Sequence, residues 1–301
     1  MPAPIALFAY KRPDHLRRTV ESLQANTESS ASDLVVFCDG PKSDSDAAAI
    51  AAVRTQASSI RGFRSLQVRM QERNLGLARS IIEGVTSMLE ASDRVIVIED
   101  DLVLSPFFLA YMNAGLDRYA EQPRVASIHG YVYPVDVELP ETFFMRGADC
   151  WGWSTWRRSW SIFERDARRL LERLRALSLC NAFDFGGAYP YTQMLADKAE
   201  GRNESWAIRW HASAFLADML TLYPGRSLVQ NIGNDSSGTH CGTTDVHDVH
   251  LSADSIRVED IEILESELGK LAFERYFRRT HGRVRRPWWR AFRDRFFWSS
   301  R

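Results

Sequence analysis

The sequence predicts an α/β protein built on a mostly parallel sheet flanked by helices. Three observations carry that expectation. Apolar, β-branched runs alternate with amphipathic helical patterns from residue 5 to residue 98, as in a parallel sheet with helical crossovers. The runs are apolar without interruption, which suits strands buried on both faces. Arg12, Asp39, Asn74 and Asp101 each follow a predicted strand, so they gather at the carboxyl edge, where α/β sheets open into crevices.

Ile5 to Tyr10 is the first expected strand. Lys11-Arg12-Pro13-Asp14 breaks it, and Asp14 can cap a helix whose buried face carries Leu16, Val20 and Leu23. Leu34 to Cys38 is the second strand, ended by the turn signal Asp39-Gly40-Pro41. An alanine-rich helix spans about residues 45–58, and Leu66 to Met70 is the third strand. Asn74-Leu75-Gly76-Leu77-Ala78-Arg79 leads into a helix from Ser80 to Glu90, and Val95 to Ile98 is the fourth strand. Beyond it, Pro106 to Tyr119 reads as an amphipathic helix and Val125 to Gly130 as a strand. Phe163 to Leu179 reads as a charged helix, and Asn203-Glu204-Ser205-Trp206 opens another.

The fourth strand ends in Glu99-Asp100-Asp101. Three acids cannot all be buried unpaired, since desolvating a charge costs several kcal/mol. Such a strand end is either a solvated acidic loop or one edge of a crevice that holds a hard divalent cation on oxygen ligands. The convergence of the other polar residues on the same edge favours the crevice.

Composition narrows the class. The chain has 301 residues, 45% apolar and 26% charged, with a net charge of −1. That is ordinary for a globular protein and gives no reason to expect nucleic acid as a partner. Cys38, Cys150, Cys180 and Cys241 are widely spaced, which suits reduced thiols rather than a disulfide framework or a zinc site. No signal peptide and no spanning segment is expected. There is no G-x-G-x-x-G after the first strand, no P-loop and no G-x-S-x-G elbow.

Past residue 145 the character changes. Asp149-Cys150-Trp151-Gly152-Trp153-Ser154-Thr155-Trp156 is dense in tryptophan. These rings can be core, or a stacking wall for a sugar with Gly152 allowing close approach. Ser236 to Gly242 is a Gly/Ser/Thr-rich loop able to wrap an anion with backbone N–H groups. His240 within it is a metal or phosphate ligand, or simply solvated.

The order of these features resembles the GT-A nucleotide-sugar glycosyltransferases. The likeness is carried by Phe8-Ala9-Tyr10-Lys11-Arg12-Pro13, Cys38-Asp39-Gly40, Asn74-Leu75-Gly76-Leu77-Ala78 and Val97-Ile98-Glu99-Asp100-Asp101. The last looks like a D-x-D-type metal motif in the Glu-Asp-Asp form of the N-acetylglucosaminyltransferase I type. Ser205 to Trp210 with His240-Cys241 is similar to bacterial surface-polysaccharide sugar transferases.

The resemblance implies a donor-binding half over residues 1–125, an acceptor-binding half over 126–250, and a helical basic-aromatic tail over 251–301. It implies that Arg12 and Asp39 contact the nucleobase, that Asn74 and Arg79 belong to the donor site, and that Glu99 and Asp100 lie near the ribose and metal. Asp101 would ligate Mn²⁺ or Mg²⁺, with His240 on the metal or phosphate side, and Trp151, Gly152 and Trp153 would face the acceptor. The activity implied is inverting transfer from a UDP-sugar, or another nucleotide sugar, to a saccharide or lipid-linked saccharide. Where the resembling type has an Asp before the Trp of its acceptor helix, this chain has Ser205, with Glu204 one place earlier. Glu204 is therefore the first candidate for general base and Asp149 the second.

Two rivals stand beside this reading. A nucleotidyltransferase would share the fold and metal but needs a Gly-rich basic loop after the first strand. A non-enzymatic sugar-binding protein at a membrane surface has no use for the acidic strand end. From Arg275 onward, arginines interleave with Tyr276, Phe277, Trp288, Trp289, Phe292, Phe296, Phe297 and Trp298. That pattern predicts attachment to an anionic membrane surface, placing the protein on the cytoplasmic face. The alternative is a tail folded back onto the catalytic domain.

Overall fold

The first half of the chain alternates as expected. β1 (Ile5–Ala9), α1 (Pro13–Gln24), β2 (Asp33–Cys38), α2 (Ala47–Ser59), β3 (Ser65–Met70), α3 (Leu77–Ala91) and β4 (Arg94–Glu99) follow in turn. The structure, a computed structural model, describes residues 1–235 and 244–280. β1 pairs in parallel with β2 and β4, and β2 with β3. Side chains divide by the period of two that strands impose. Ile5, Leu7 and Ala9 join Leu16, Leu23, Val53 and Ala57 on one face, while Ala6 and Phe8 join Ile81, Val85 and Leu89 of α3 on the other. In β4, Ile96 and Ile98 face the first cluster, Val95 and Val97 the second. The unbroken apolar run thus serves two cores at once.

The described chain continues through β5 (Leu102–Leu104), α4 (Phe108–Arg118), β6 (Val125–His129), β7 (Thr142–Arg146), β8 (Trp153–Trp156) and α5 (Arg157–Trp160). Then come α6 (Ala167–Ala176), α7 (Cys180–Phe183), α8 (Tyr191–Ala199), α9 (Ala207–Leu216), β9 (Leu220–Pro224), β10 (Val229–Asn231) and α10 (Glu267–Thr280). One sheet runs in the order β3-β2-β1-β4-β8-β6-β9-β7, and β5 with β10 forms a separate antiparallel pair. β8 runs against β4 and β6, and β7 against β9, whereas β6 and β9 are parallel. All but β7 and β8 therefore share one direction, and the fold is the mostly parallel, helix-flanked α/β sheet that the alternation predicts. Because β8 sits between β4 and β6, the second half of the chain completes the sheet that the first half begins.

Three local expectations are corrected. The charged helix expected over Phe163 to Leu179 is α6 alone. Asp166 caps its start by accepting from the backbone N–H of Arg168 at 2.8 Å, and the chain turns off at Ser178, whose φ is 55°. Trp153 is not an acceptor wall. It is fully buried, its ring 5.8, 5.6 and 5.9 Å from those of Trp160, Trp206 and Trp210 in the core beneath α3 and α9. Gly152 is required by packing instead of sugar contact: its φ is 65°, and a Cβ there would lie 2.7 Å from Val229 Cγ2. Of the three, Trp151 alone stays partly exposed, against the Tyr131 and His247 rings.

The third correction concerns the tail. α10 folds back, and Phe273, Tyr276 and Phe277 are buried with Phe143, Met145 and Tyr223. Tyr276 and Phe277 are thus core residues rather than membrane-facing aromatics. The remaining arginines and aromatics of that segment, from Arg283 to Arg301, lie outside the described residues. Among the described residues no helix is long and apolar enough to cross a membrane.

Trp153→Ala is expected to lower unfolding stability by about 3–5 kcal/mol, the range for removing a large buried aromatic, as read by urea denaturation. Unchanged stability with a selective loss of acceptor binding would restore the sugar-wall reading.

Candidate active site

The carboxyl end of β4 carries Glu99, and Asp100 and Asp101 turn the chain towards β5. Asp100 is buried, and its Oδ2 accepts from the Tyr10 backbone N–H at 3.0 Å. Its Oδ1 accepts from Arg12 Nη2 at 2.5 Å, and the same nitrogen donates to Asp101 Oδ2 at 2.9 Å. Burial alone would disfavour the charged guanidinium, but the two aspartates outweigh it and hold Arg12 protonated.

One guanidinium does not neutralise three acids. Burial, only partly offset by Arg12, keeps the Asp100 carboxyl above its ordinary range. The Glu99 side chain has no hydrogen bond among the described residues. Burial first, then the charges of Asp101 and Asp100, push its carboxyl up to about 8. The strand end is therefore short of positive charge. The chain also closes on it: the Ile232 N–H donates to the Asp101 carbonyl at 2.8 Å, and a Cβ on Gly233 would sit 2.2 Å from Asp101 Oδ2.

These residues fit a hard divalent cation. Among the described residues no three His, Cys, Asp or Glu side chains converge as a metal cage. Ions such as Mg²⁺, however, are commonly held by one or two carboxylates, with substrate phosphates supplying further oxygens. Glu99 and Asp101 Oδ1, free of hydrogen bonds among the described residues, match that set.

On the next strands the expected donor-site residues turn inward. Asp39 is buried. Its Oδ1 accepts from Gly40 N–H and Leu75 N–H, each at 2.8 Å, and its Oδ2 from Asn74 Nδ2 and Gly76 N–H, each at 3.0 Å. A carboxylate offers about four lone-pair sites, and the chain itself occupies them. Asp39 thereby fastens residues 74–76 ahead of α3, and Asn74 adds a bond to the Gly40 carbonyl at 3.1 Å. Arg12 and Asp39, the residues expected at the nucleobase, make these internal contacts in this structure. Arg79 lies on the solvent side of α3, bonded to Glu83 at 2.7 Å.

A second carboxylate acts on the same Cys150 thiol as the β4 acids do. Asp149 lies on the segment from Gly147 to Gly152, which leads the chain from β7 to β8. Its Oδ2 accepts from the Tyr133 hydroxyl at 3.1 Å and the Tyr223 hydroxyl at 3.5 Å, and its Oδ1 from the Cys150 N–H at 2.9 Å. His129, at the end of β6, is buried. Its Nε2 accepts from the Trp151 N–H at 3.0 Å, and its ring meets Tyr223 edge-on at 4.9 Å. Burial holds His129, His211 and His247 below the usual imidazole range, and Asp149 pulls each the other way. Cys150 links the two acidic groups: burial and then Asp149, Glu99 and Asp101 together raise its thiol.

Glu204 is placed elsewhere. Its side chain is 69% exposed and pairs with Lys198 at 3.0 Å, and no contact among the described residues joins it to Asp149 or the strand end. His240 lies outside the described residues. Tyr133 and Tyr223 were not foreseen. Tyr133 follows a strand end just as Arg12 and Asp39 do, so the same edge rule pointed to it. Nothing in the sequence marks Tyr223.

No family model matches the chain, and no curated protein matches it. Solved structures do. The chain is similar to the mannosyltransferase PcManGT from Pyrobaculum calidifontis, solved with GDP-Man and Mn²⁺, at 13% identity over 72% of each chain, with a TM-score of 0.35. It is similar to TarS from S. aureus at 16% identity and a TM-score of 0.32, covering 49% of this chain and 25% of that one. It is also similar to a Bacillus anthracis protein assigned as a glucose-1-phosphate thymidylyltransferase, at 12% identity over 54% of this chain and 75% of that one, with a TM-score of 0.32.

Arg12→Met should destabilise the protein by about 3–5 kcal/mol, because it leaves the buried Asp100 without its counter-charge. Urea unfolding at neutral pH measures this; a loss below about 1 kcal/mol would mean that the pair contributes like an exposed one.

Proposed function

We propose that the protein is a divalent-metal-dependent glycosyltransferase, moving a sugar from a nucleotide diphosphate sugar to a saccharide hydroxyl. The observation that carries this reading is the acidic end of β4, where Arg12 is the single paired guanidinium, with the hydrogen-bonded Asp149 near enough that both act on the Cys150 thiol. Glu99 and Asp101 would hold Mn²⁺ or Mg²⁺. The ion, when bound, supplies Lewis-acid stabilisation of the leaving diphosphate.

Asp149 is the base in this proposal. An acceptor hydroxyl in hydrogen-bond reach gives its proton to the carboxylate as its oxygen bonds to the anomeric carbon. The bond from that carbon to the diphosphate oxygen breaks, and the electron pair leaves with the nucleotide. Displacement from the side opposite the nucleotide inverts the anomeric centre. Trp151 offers a partly exposed ring beside Asp149 for the acceptor. Glu204, paired and exposed on the surface, gives up its place as first candidate.

The rival nucleotidyltransferase is disfavoured by the residues after β1. Lys11 pairs with Asp46 at 2.9 Å and Arg12 with Asp100 and Asp101, so neither stands free for a triphosphate. Thermal shift separates an enzyme from a plain sugar-binding protein: UDP with Mn²⁺ should raise the midpoint by mass action, more than either alone.

Asp101→Ala is expected to remove the joint UDP and Mn²⁺ effect while leaving urea stability close to wild type. Full activity of that variant, or of wild type in excess EDTA, would end the metal proposal. For the base, Asp149→Asn should cut turnover by about 10²-fold or more with the donor KM little changed. Glu204→Gln should leave turnover within a few fold. The reverse pattern would return the role to Glu204.

A further inference from the structure

The two hydroxyls that donate to Asp149 belong to residues far apart in sequence, Tyr133 after β6 and Tyr223 on β9. What fixes their rings comes from a third place. Phe273 of α10 meets the Tyr133 ring edge-on at 5.0 Å and 85°, and the Tyr223 ring edge-on at 5.6 Å and 74°. Phe273 is 1% exposed, so its position is set by packing. The rest of α10 reinforces one of the two rings: Tyr276 and Phe277 lie 5.1 and 5.0 Å from Tyr133. The helix is itself anchored, since the Tyr276 hydroxyl donates to the Val246 carbonyl at 2.6 Å and Gly269 packs under Phe143.

We infer that Phe273 is a positioning residue: α10 aims the acceptor-side carboxylate by bracing both tyrosines that hydrogen-bond it. Phe273 has no hydrogen bond to Asp149 and acts only through the two rings. Edge-to-face contacts prefer defined geometries, and a hydrogen bond weakens steeply as its angle degrades. Loss of the brace thus becomes misdirection of Asp149 without any change in the residues that surround the donor. A general base must lie within hydrogen-bond reach of the proton that it takes, and misplacement by about 1 Å can lower a rate 10²-fold. This inference rests on the reading of Asp149 as the base, but the geometric relay can be tested apart from it.

The experiment uses the full chain labelled with ¹³C at the aspartate carboxyl carbons. The Asp149 signal is identified by its absence from Asp149→Asn. In Tyr133→Phe, which keeps the ring and removes the donor, that signal should move. In Phe273→Leu, which keeps an apolar filler, it should move as well, although Phe273 makes no bond to Asp149. Tyr111→Phe, a buried tyrosine elsewhere, should leave it in place. Hydrolysis of UDP-sugars with Mn²⁺ supplies the second readout: Phe273→Leu and Tyr133→Phe should lower kcat about 10-fold or more with the donor KM unchanged. An Asp149 signal unmoved in Tyr133→Phe, or moved there but not in Phe273→Leu, overturns the relay. A moved signal with unaltered kcat in a hydrolysing wild type overturns the positioning role. If wild type hydrolyses no nucleotide sugar, the proposed function is what fails, and the carbon spectra still decide the relay.

Discussion

The ion pair from Arg12 to Asp100 and Asp101 is the constraint on which the crevice depends. β1 and β4 are neighbours in the sheet, and Arg12 ties the turn after one to the turn after the other. The Tyr10 N–H and the Thr19 hydroxyl bind Asp100 from the same side, the latter at 2.7 Å through its carbonyl. α1 starts immediately after Arg12, so its first turn is fixed to the acidic strand end. A buried ion pair does not by itself stabilise a fold more than apolar residues of the same volume would. What it does here is keep three acids at the carboxyl edge with a single guanidinium paired among them. A divalent cation would answer that imbalance.

Much of this was legible in the sequence, and the reasons are physical. The run Val95-Ile96-Val97-Ile98 spelled a strand buried on both faces, and alternate residues do enter two separate cores. The acids after it could only lie at an edge. Legibility failed where one residue type serves two ends. Trp153 and Trp151 are two positions apart, yet one is sealed in the core and the other lies half-open beside His247. Composition cannot separate them, because the difference lies in which strand β8 lands beside. Asp39 sat where a ligand contact was expected, but its four internal donors come from Gly40 and from residues 74–76, a closure that spacing does not reveal. Tyr223 and Phe273 reach Asp149 only through tertiary packing of β9 and α10, so no local pattern could announce them.

The same comparison sorts the acids by use. Asp39 and Asp100 are buried, and both accept bonds from the chain itself at each side-chain oxygen; they hold loops in place. Glu204 is exposed and pairs with a lysine, as surface carboxylates commonly do. Glu99 is neither, for its side chain has no hydrogen bond among the described residues, and burial, then Asp101 and Asp100, raise its carboxyl. Asp149 is held on one side by tyrosine hydroxyls, which leave it oriented but carry no charge to neutralise it. Acids whose hydrogen-bonding capacity is filled build the fold, and acids that keep capacity open are those able to take a cation or a proton. By that criterion Glu99 and Asp101 Oδ1 keep capacity open among the described residues, whereas Asp149 accepts at both oxygens and its proposed role as base rests on its place beside Cys150.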